Sequence, residues 1–220
     1  GREFNPDKTP SFPQVLQANG YKTAFMGKWH MDHSNEPRRG FDHWISFSGQ
    51  GHYNGNELNI DGVTVKNSGY ITDELTQYAV DFIDANADQP FCLYLSHKAV
   101  HQPFTPATRD KDLYTGAVVP KRDSFFDDLS DKPEWQRVSR GRDELYRLRY
   151  NDHYTAPSKR APRPYTPENG AHPSTKDYLR TIAAVDDGIG KLYEVLEQRG
   201  ILGNTAIIFA GDNGYMLGEH

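Results

Sequence analysis

Apolar residues along this chain gather into short blocks whose spacing alternates between helical and extended. Phe12, Val15, Leu16 and Ala18 follow Thr9-Pro10 and predict a short capped helix, closed by Asn19-Gly20. Tyr21 to Met26 suits a strand that runs into Gly27-Lys28-Trp29-His30. Residues 31–70 are rich in Gly, Asn, His and aromatics and predict loops, with one hairpin turning at Asp61-Gly62 between Ile60 and Val63. Thr72 stands where it would cap a second helix, on which Leu75, Tyr78, Ala79, Phe82 and Ile83 recur at helical spacing. Asn86 to Pro90 breaks that helix, and Phe91 to Leu95 is a nearly continuous apolar run, as in a strand buried on both faces.

Residues 105–173 are charged, punctuated by proline and weakly periodic, which predicts a loop-rich excursion with solvated groups such as Asp127-Asp128 and Arg140-Gly141-Arg142. The longest helix is expected from Ser174 to Arg199, with Tyr178, Ile182, Val185, Ile189, Leu192, Tyr193 and Leu196 in one stripe and Gly200 as its stop. Thr205 to Ala210 then predicts another buried strand. Helices alternating with strands imply an α/β fold, a mainly parallel sheet sandwiched between helices.

Composition adds boundaries rather than detail. A hydrophobic share of 36% is low for an α/β core, while 12% aromatics argues against disorder, so a real core carrying long polar loops is expected. A net charge of -5 gives no basic footprint for nucleic acid or an anionic membrane. No apolar run reaches the roughly 18 residues of a membrane span. The single cysteine, Cys92, excludes an internal disulfide and any multi-cysteine zinc cluster, and reads as a core residue. Without an initiator Met or leader at Gly1, and with Gly218-Glu219-His220 following a glycine-rich turn, both ends read as cuts.

Ligands of open α/β sheets sit at the carboxyl ends of the strands. Three such ends carry unusual residues: Gly27 to His30, Ser96 to Pro103, and Gly211-Asp212-Asn213-Gly214. They would bring Lys28, Lys98, three histidines and an Asp-Asn pair to one rim. Taken singly, each has a plainer reading. Asp-Asn-Gly is turn chemistry as well as a pair of hard oxygen ligands for calcium or magnesium. Lys28 and His30 face one side of an extended segment, but a lone pair of that kind is ordinary surface. His97 and His101, four apart on a loop, give no fixed zinc geometry.

In chain order the motifs become specific. Gly20-Tyr21-Lys22-Thr23-Ala24-Phe25-Met26-Gly27-Lys28-Trp29-His30 resembles the second signature of the type I sulfatases, formylglycine-dependent members of the alkaline-phosphatase superfamily. Phe91 to Phe104 is similar to that family's central strand and His-x-Pro loop. Asp177 to Gly214, with Ala184-Val185-Asp186-Asp187, and Leu217 to His220 continue its pattern. The resemblance spans nearly all of 1–220 and implies the middle of a sulfatase catalytic domain with an alkaline-phosphatase-like fold.

It also implies a chemistry. A formylglycine made from Cys or Ser attacks sulfur, and a calcium ion binds the sulfate oxygens. Asp212 and Asn213 match two of the calcium ligands. Lys28 matches the lysine on the sulfate, His30 the base that helps expel it, and His101 the acid beside the leaving oxygen. His97, in the same loop, is a further candidate for substrate binding. The Cys/Ser-x-Pro-x-Arg modification motif is absent here and is expected upstream of Thr9; an early Asp pair and a later lysine are absent too. The chain by itself is therefore expected to be inactive. The substrate expected is a small-molecule or glycan sulfate ester, and the loop Gln50 to Asn59 would suit a carbohydrate or would be ordinary surface. The resemblance is nearest to bacterial glycan sulfatases, including N-acetylglucosamine-6-sulfatase-like members. It implies a periplasmic, secreted or lysosomal location for the full-length protein. A phosphate or phosphonate ester hydrolase of the same superfamily, or a non-catalytic remnant, are the alternatives.

Overall fold

The computed structural model describes residues 9–31, 34–118 and 173–214. It divides into two compact units, Gly1–Thr115 with Lys176–Ile208, and Gly116–Thr175 with Phe209–His220. The first holds a five-stranded sheet: β1 (Lys22–Lys28), β2 (His43–Phe47), β3 (Glu57–Ile60), β4 (Val63–Lys66) and β5 (Phe91–Ser96). Their order is β4-β3-β2-β1-β5. β1 pairs in parallel with both β2 and β5, whereas β3 and β4 join antiparallel, so the sheet is mixed. The expected hairpin forms as read, with Asp61 and Gly62 both at positive φ as a two-residue turn of the primed kind requires.

Among the described residues three helices cover the sheet: α1 (Phe12–Ala18), α2 (Ile71–Asn86) and α3 (Pro173–Gln198). Alternation along the strands sorts their side chains. Ala24, Met26, Ile45, Phe47 and Leu58 share a core with Ile71, Leu75, Ala79 and Phe82 of α2. On the opposite face Phe25 stacks on Trp44 and meets Trp29, Phe41 and Tyr94 at ring-centroid distances of 4.7–5.7 Å, and Phe12 of α1 approaches Tyr94. α3 packs on α2, where Ile83 joins Val195 and Leu196.

Several expectations change. Ser11 rather than Thr9 caps α1, and the Gln14 side chain returns to accept from the Ser11 amide at 3.0 Å. Tyr70 rather than Thr72 is the N-cap of α2; Thr72 already lies buried in the first turn. The buried line of α3 is Thr181, Ala184, Gly188, Val195 and Leu196. Of the predicted stripe Leu196 is buried and Leu192 packs half-buried beside it, while Ile182, Val185 and Ile189 are only half-buried and Tyr193 is exposed. Small residues line it because the helices approach closely: a Cβ on Gly188 would come within 2.6 Å of Thr76 Oγ1.

Loops were expected over most of 31–70, yet His43–Phe47 is a strand at the heart of the sheet. The doubly buried strand is β1, whereas β5 is paired on one side only among the described residues and is half-buried, Cys92 included. Thr205 to Ala210 is not a strand. Ile208 and Phe209 are 89% and 77% exposed, because an apolar run becomes a strand only when a neighbour takes its backbone groups, and no described strand does. The excursion expected at 105–173 lies largely outside the described residues; its start holds a short 3-10 turn, Thr108–Asp110, whose Arg109 forms a bidentate pair with Asp73 of α2 at 2.7 and 2.9 Å.

The tightest point of the sheet is Gly27. Its φ is +121°, and a Cβ there would overlap the Ser96 carbonyl of β5. Gly27→Ala should therefore lower unfolding free energy by about 3 kcal/mol or more. Gly62→Ala, at positive φ but in open space, should cost about 1 kcal/mol. Urea denaturation of the two variants checks the ranking, and equal losses would refute the close approach.

Candidate active site

Parallel pairing carries three chain segments out of the sheet at the same end. Lys28 closes β1, the loop 48–56 follows β2, and His97 to Pro103 follow β5. Where the ladder gives out, hydroxyls from both neighbours take over its carbonyls. Ser46 Oγ donates to Gly27 O at 2.8 Å, and Ser96 Oγ to Lys28 O at 2.9 Å. Trp29 turns into the aromatic cluster against Phe25 and Trp44, which leaves Lys28 and His30, one residue to either side, outside it. His30 has a left-handed backbone, φ 48°, and an exposed ring.

The loop after β2 is locked from within. Buried Asn56 accepts from the His52 amide at 2.7 Å and donates to the His52 carbonyl at 2.6 Å. From this loop Gln50 Nε2 lies 3.1 Å from His30 Nε2, and Tyr53 donates its hydroxyl to the His101 carbonyl at 2.6 Å. Tyr53 stacks on Tyr70, which in turn donates to the Thr105 carbonyl at 2.9 Å. Two phenols thus hold the loop after β5 by its backbone.

On that loop His101 is exposed, and its Nδ1 lies 2.8 Å from the Gln102 carbonyl. A carbonyl only accepts, so the proton sits on Nδ1 and Nε2 is left for chemistry. His97 differs. Burial pushes its pKa down to about 4, against the weaker pull of Asp73, so its imidazole is neutral near pH 7; its buried Nδ1 meets no partner among the described residues. Lys98 is 3% exposed. Its ammonium donates to the Gln50 carbonyl at 3.1 Å and stands 5.0 Å from the centre of the Tyr53 ring. Burial, helped by the positive charge of Lys28, lowers its pKa to about 8.

The structure therefore gathers Lys28, His30, His97 and His101 at the carboxyl edge of one sheet. Asp212 and Asn213 lie on an exposed bend in the second unit, ahead of Gly214 at positive φ. Their carboxylate and amide oxygens have the hard-donor chemistry calcium takes, but two donors are few against the usual six to eight, and no group of three or more His, Cys, Asp or Glu among the described residues is arranged for a metal. Reading the sequence missed the parts played by Gln50 and Tyr53, and it put Lys98 at the rim without a role. Only Tyr53 and the three glycines of that loop, Gly49, Gly51 and Gly55, hinted at a built segment.

Comparison with known proteins bears on the fold and the family. An N-acetylglucosamine-6-O-sulfatase of Bacteroides thetaiotaomicron is 30% identical over 260 aligned residues, covering 99% of this chain and 46% of its own length. The human N-acetylglucosamine-6-sulfatase is 24% identical over 223, covering 95% and 37%. The chain thus spans less than half the length of these relatives. A solved structure in complex with its substrate, D-glucosamine-2-N,6-O-disulfate, superposes with a TM-score of 0.63 at 26% identity, over 91% of this chain and 49% of that one. The fold is that of the alkaline-phosphatase-like sulfatases. With the Sulfatase family model matching residues 3–220, the chain belongs to the sulfatase family.

Proposed function

We propose that the protein hydrolyses sulfate monoesters of a glycan, with a 6-sulfated glucosamine as the substrate type. The observation that carries this is the meeting of Lys28, His30 and His101 at the ends of adjacent parallel strands, bridged by the Gln50–Tyr53 loop. Glycan sulfatases among the relatives, and the glucosamine disulfate of the similar structure, support the sugar. The polar, aromatic loop supports it too, since Tyr and His rings can stack on a pyranose while Asn and Gln bind its hydroxyls. A periplasmic, secreted or lysosomal setting belongs to the same proposal; a relative from Caenorhabditis elegans is named as a putative extracellular sulfatase. No helix among the described residues is long and apolar enough to cross a membrane.

Lys28 holds the sulfate by charge, which strengthens as negative charge builds on the transferred group. His101, with Nδ1–H held by the Gln102 carbonyl, carries the catalytic proton on Nε2 and delivers it to the ester oxygen as the sulfur–oxygen bond breaks. The sugar leaves as a neutral alcohol. His30 works at the other end of the reaction as a base, accepting a proton when sulfate is released. His97, being neutral, offers substrate at most an N–H and no charge. Asp212 and Asn213 would contribute two oxygen ligands to calcium. When present, calcium supplies fixed positive charge and formylglycine a hydroxyl nucleophile.

If His101 is the acid, its importance tracks the leaving group. A nitrophenolate departs readily, whereas a sugar alkoxide needs protonation. His101→Ala should therefore lose about 10²–10⁴-fold in kcat/KM on glucosamine 6-sulfate and much less on 4-nitrophenyl sulfate. Equal losses would reduce His101 to binding, and faster turnover of a phosphate ester than of its sulfate counterpart would overturn the sulfate assignment.

His97 predicts a pH effect on stability. Its folded pKa of about 4 lies below the ordinary 6.5, so the unfolded chain takes up the proton first as pH falls. The stability is complete above pH 6.5 and is lost progressively toward pH 4. At pH 5 the loss should reach about 2 kcal/mol. Thermal melts at pH 7 and 5 should show it in the parent protein, and His97→Gln should flatten it. An unchanged pH dependence in that variant would show that other groups are responsible.

A further inference from the structure

Lys98 is placed oddly for a surface cation. Lysine is almost never fully buried unless paired, yet this one is 3% exposed and forms no ion pair among the described residues. A methionine could fill the same space without desolvating a charge. What the ammonium touches instead is one loop, through the Gln50 carbonyl at 3.1 Å and the face of the Tyr53 ring at 5.0 Å. Both contacts are favourable for a cation, one to a carbonyl dipole and one to an aromatic quadrupole.

That loop is also the one that reaches both histidines. The Gln50 amide meets His30 at 3.1 Å, and the Tyr53 hydroxyl meets the His101 carbonyl at 2.6 Å. Lys98 closes the circuit through its own backbone, because its carbonyl accepts from the His101 amide at 2.9 Å. Two histidines on the loops after different strands, His30 by its ring and His101 by its carbonyl, are therefore referred to a single ammonium by one intermediate residue each. A 3% exposed group is walled off from substrate, so direct sulfate binding does not account for it.

We propose that Lys98 is a positioning residue: its buried ammonium clamps the loop 48–56 to the loop after β5 and thereby sets His30, through Gln50, and His101, through Tyr53, as one unit. The catalytic roles of the two histidines rest on the function proposed above; the clamp itself rests on geometry. Among the described residues, the titratable groups around Lys98 are Lys28 at the end of β1, Tyr53 on the clamped loop, and His97 and His101 on its own loop. Burial raises the Tyr53 pKa, so the phenol stays protonated and neutral while Lys98 loses its charge.

Histidine-labelled NMR of the protein tests this without any turnover, so its outcome is separate from that of the sulfatase assignment. In Lys98→Met the ring resonances of His30 and His101 should both move, and the nuclear Overhauser contact between the Gln50 amide and the His30 ring should vanish. His43, paired with Asp61 at 2.6 Å beside the hairpin turn, should stay in place and reports that the sheet is intact. Raising the pH of the unmodified protein supplies a second measurement that needs no variant to fold. His30 and His101 should shift together with a common midpoint near pH 8, where Lys98 loses its proton, while His43 does not follow. Unmoved histidines in a folded Lys98→Met protein would overturn the clamp. So would a response of one histidine without the other, or the absence of a common inflection near pH 8.

Discussion

The site hangs on the close parallel approach of β1 and β5. Gly27 faces Ser96 in register, with no room for a side chain between the strand and the Ser96 carbonyl. Being parallel, the two strands release their chains at the same end; an antiparallel pair would send Lys28 and His101 to opposite edges. Being so close, they let Ser96 reach the Lys28 carbonyl while Ser46 reaches that of Gly27 from the other neighbour. The last peptide groups of β1 are thus held on both sides, and the direction in which Lys28 leaves the sheet is set by backbone geometry rather than by loop contacts.

Charge and burial then divide the rim between groups that meet solvent and groups that do not. His30 and His101 are exposed, as the proton-carrying roles proposed for them require. His97 and Lys98, next to each other in the chain, turn inward, and burial depresses both pKa values, to about 4 and about 8. The same cause has opposite consequences near neutral pH. The imidazole loses its charge, while the amine keeps most of its own and offsets the cost with a carbonyl and an aromatic face. An excess of positive charge at this edge suits a sulfated ligand in a chain whose net charge is -5.

How far this could be read from the sequence depended on whether the signal was local. The hairpin at Asp61-Gly62 was legible because a two-residue primed turn needs those residues, and α3 because twenty-six residues of helical periodicity leave little else. β2 was not, since His43–Phe47 is five residues long and sits among loop-forming neighbours; its pairing with β1 on one side and β3 on the other makes it a strand. The buried face of α3 was misread for a related reason. Hydrophobicity favoured Ile182, Val185 and Ile189, whereas the packing selected Ala184 and Gly188 for their size. In the site, the positions of Lys28, His30 and His101 followed from the rule that strand ends carry ligands. The bridging by Gln50 and Tyr53, and the burial of Lys98, depend on contacts across 20 to 48 residues of chain that no local pattern encodes.

The central claim is that this edge of the sheet receives a sulfate ester. A crystal structure of the protein soaked with glucosamine 6-sulfate tests it most directly. The account predicts the sulfate group within hydrogen-bond reach of Lys28 Nζ, with the ester oxygen facing Nε2 of His101 and the sugar over the loop at Gln50 and His52. A sulfate held elsewhere on the chain, with Lys28 and His101 untouched under saturating ligand, would contradict it.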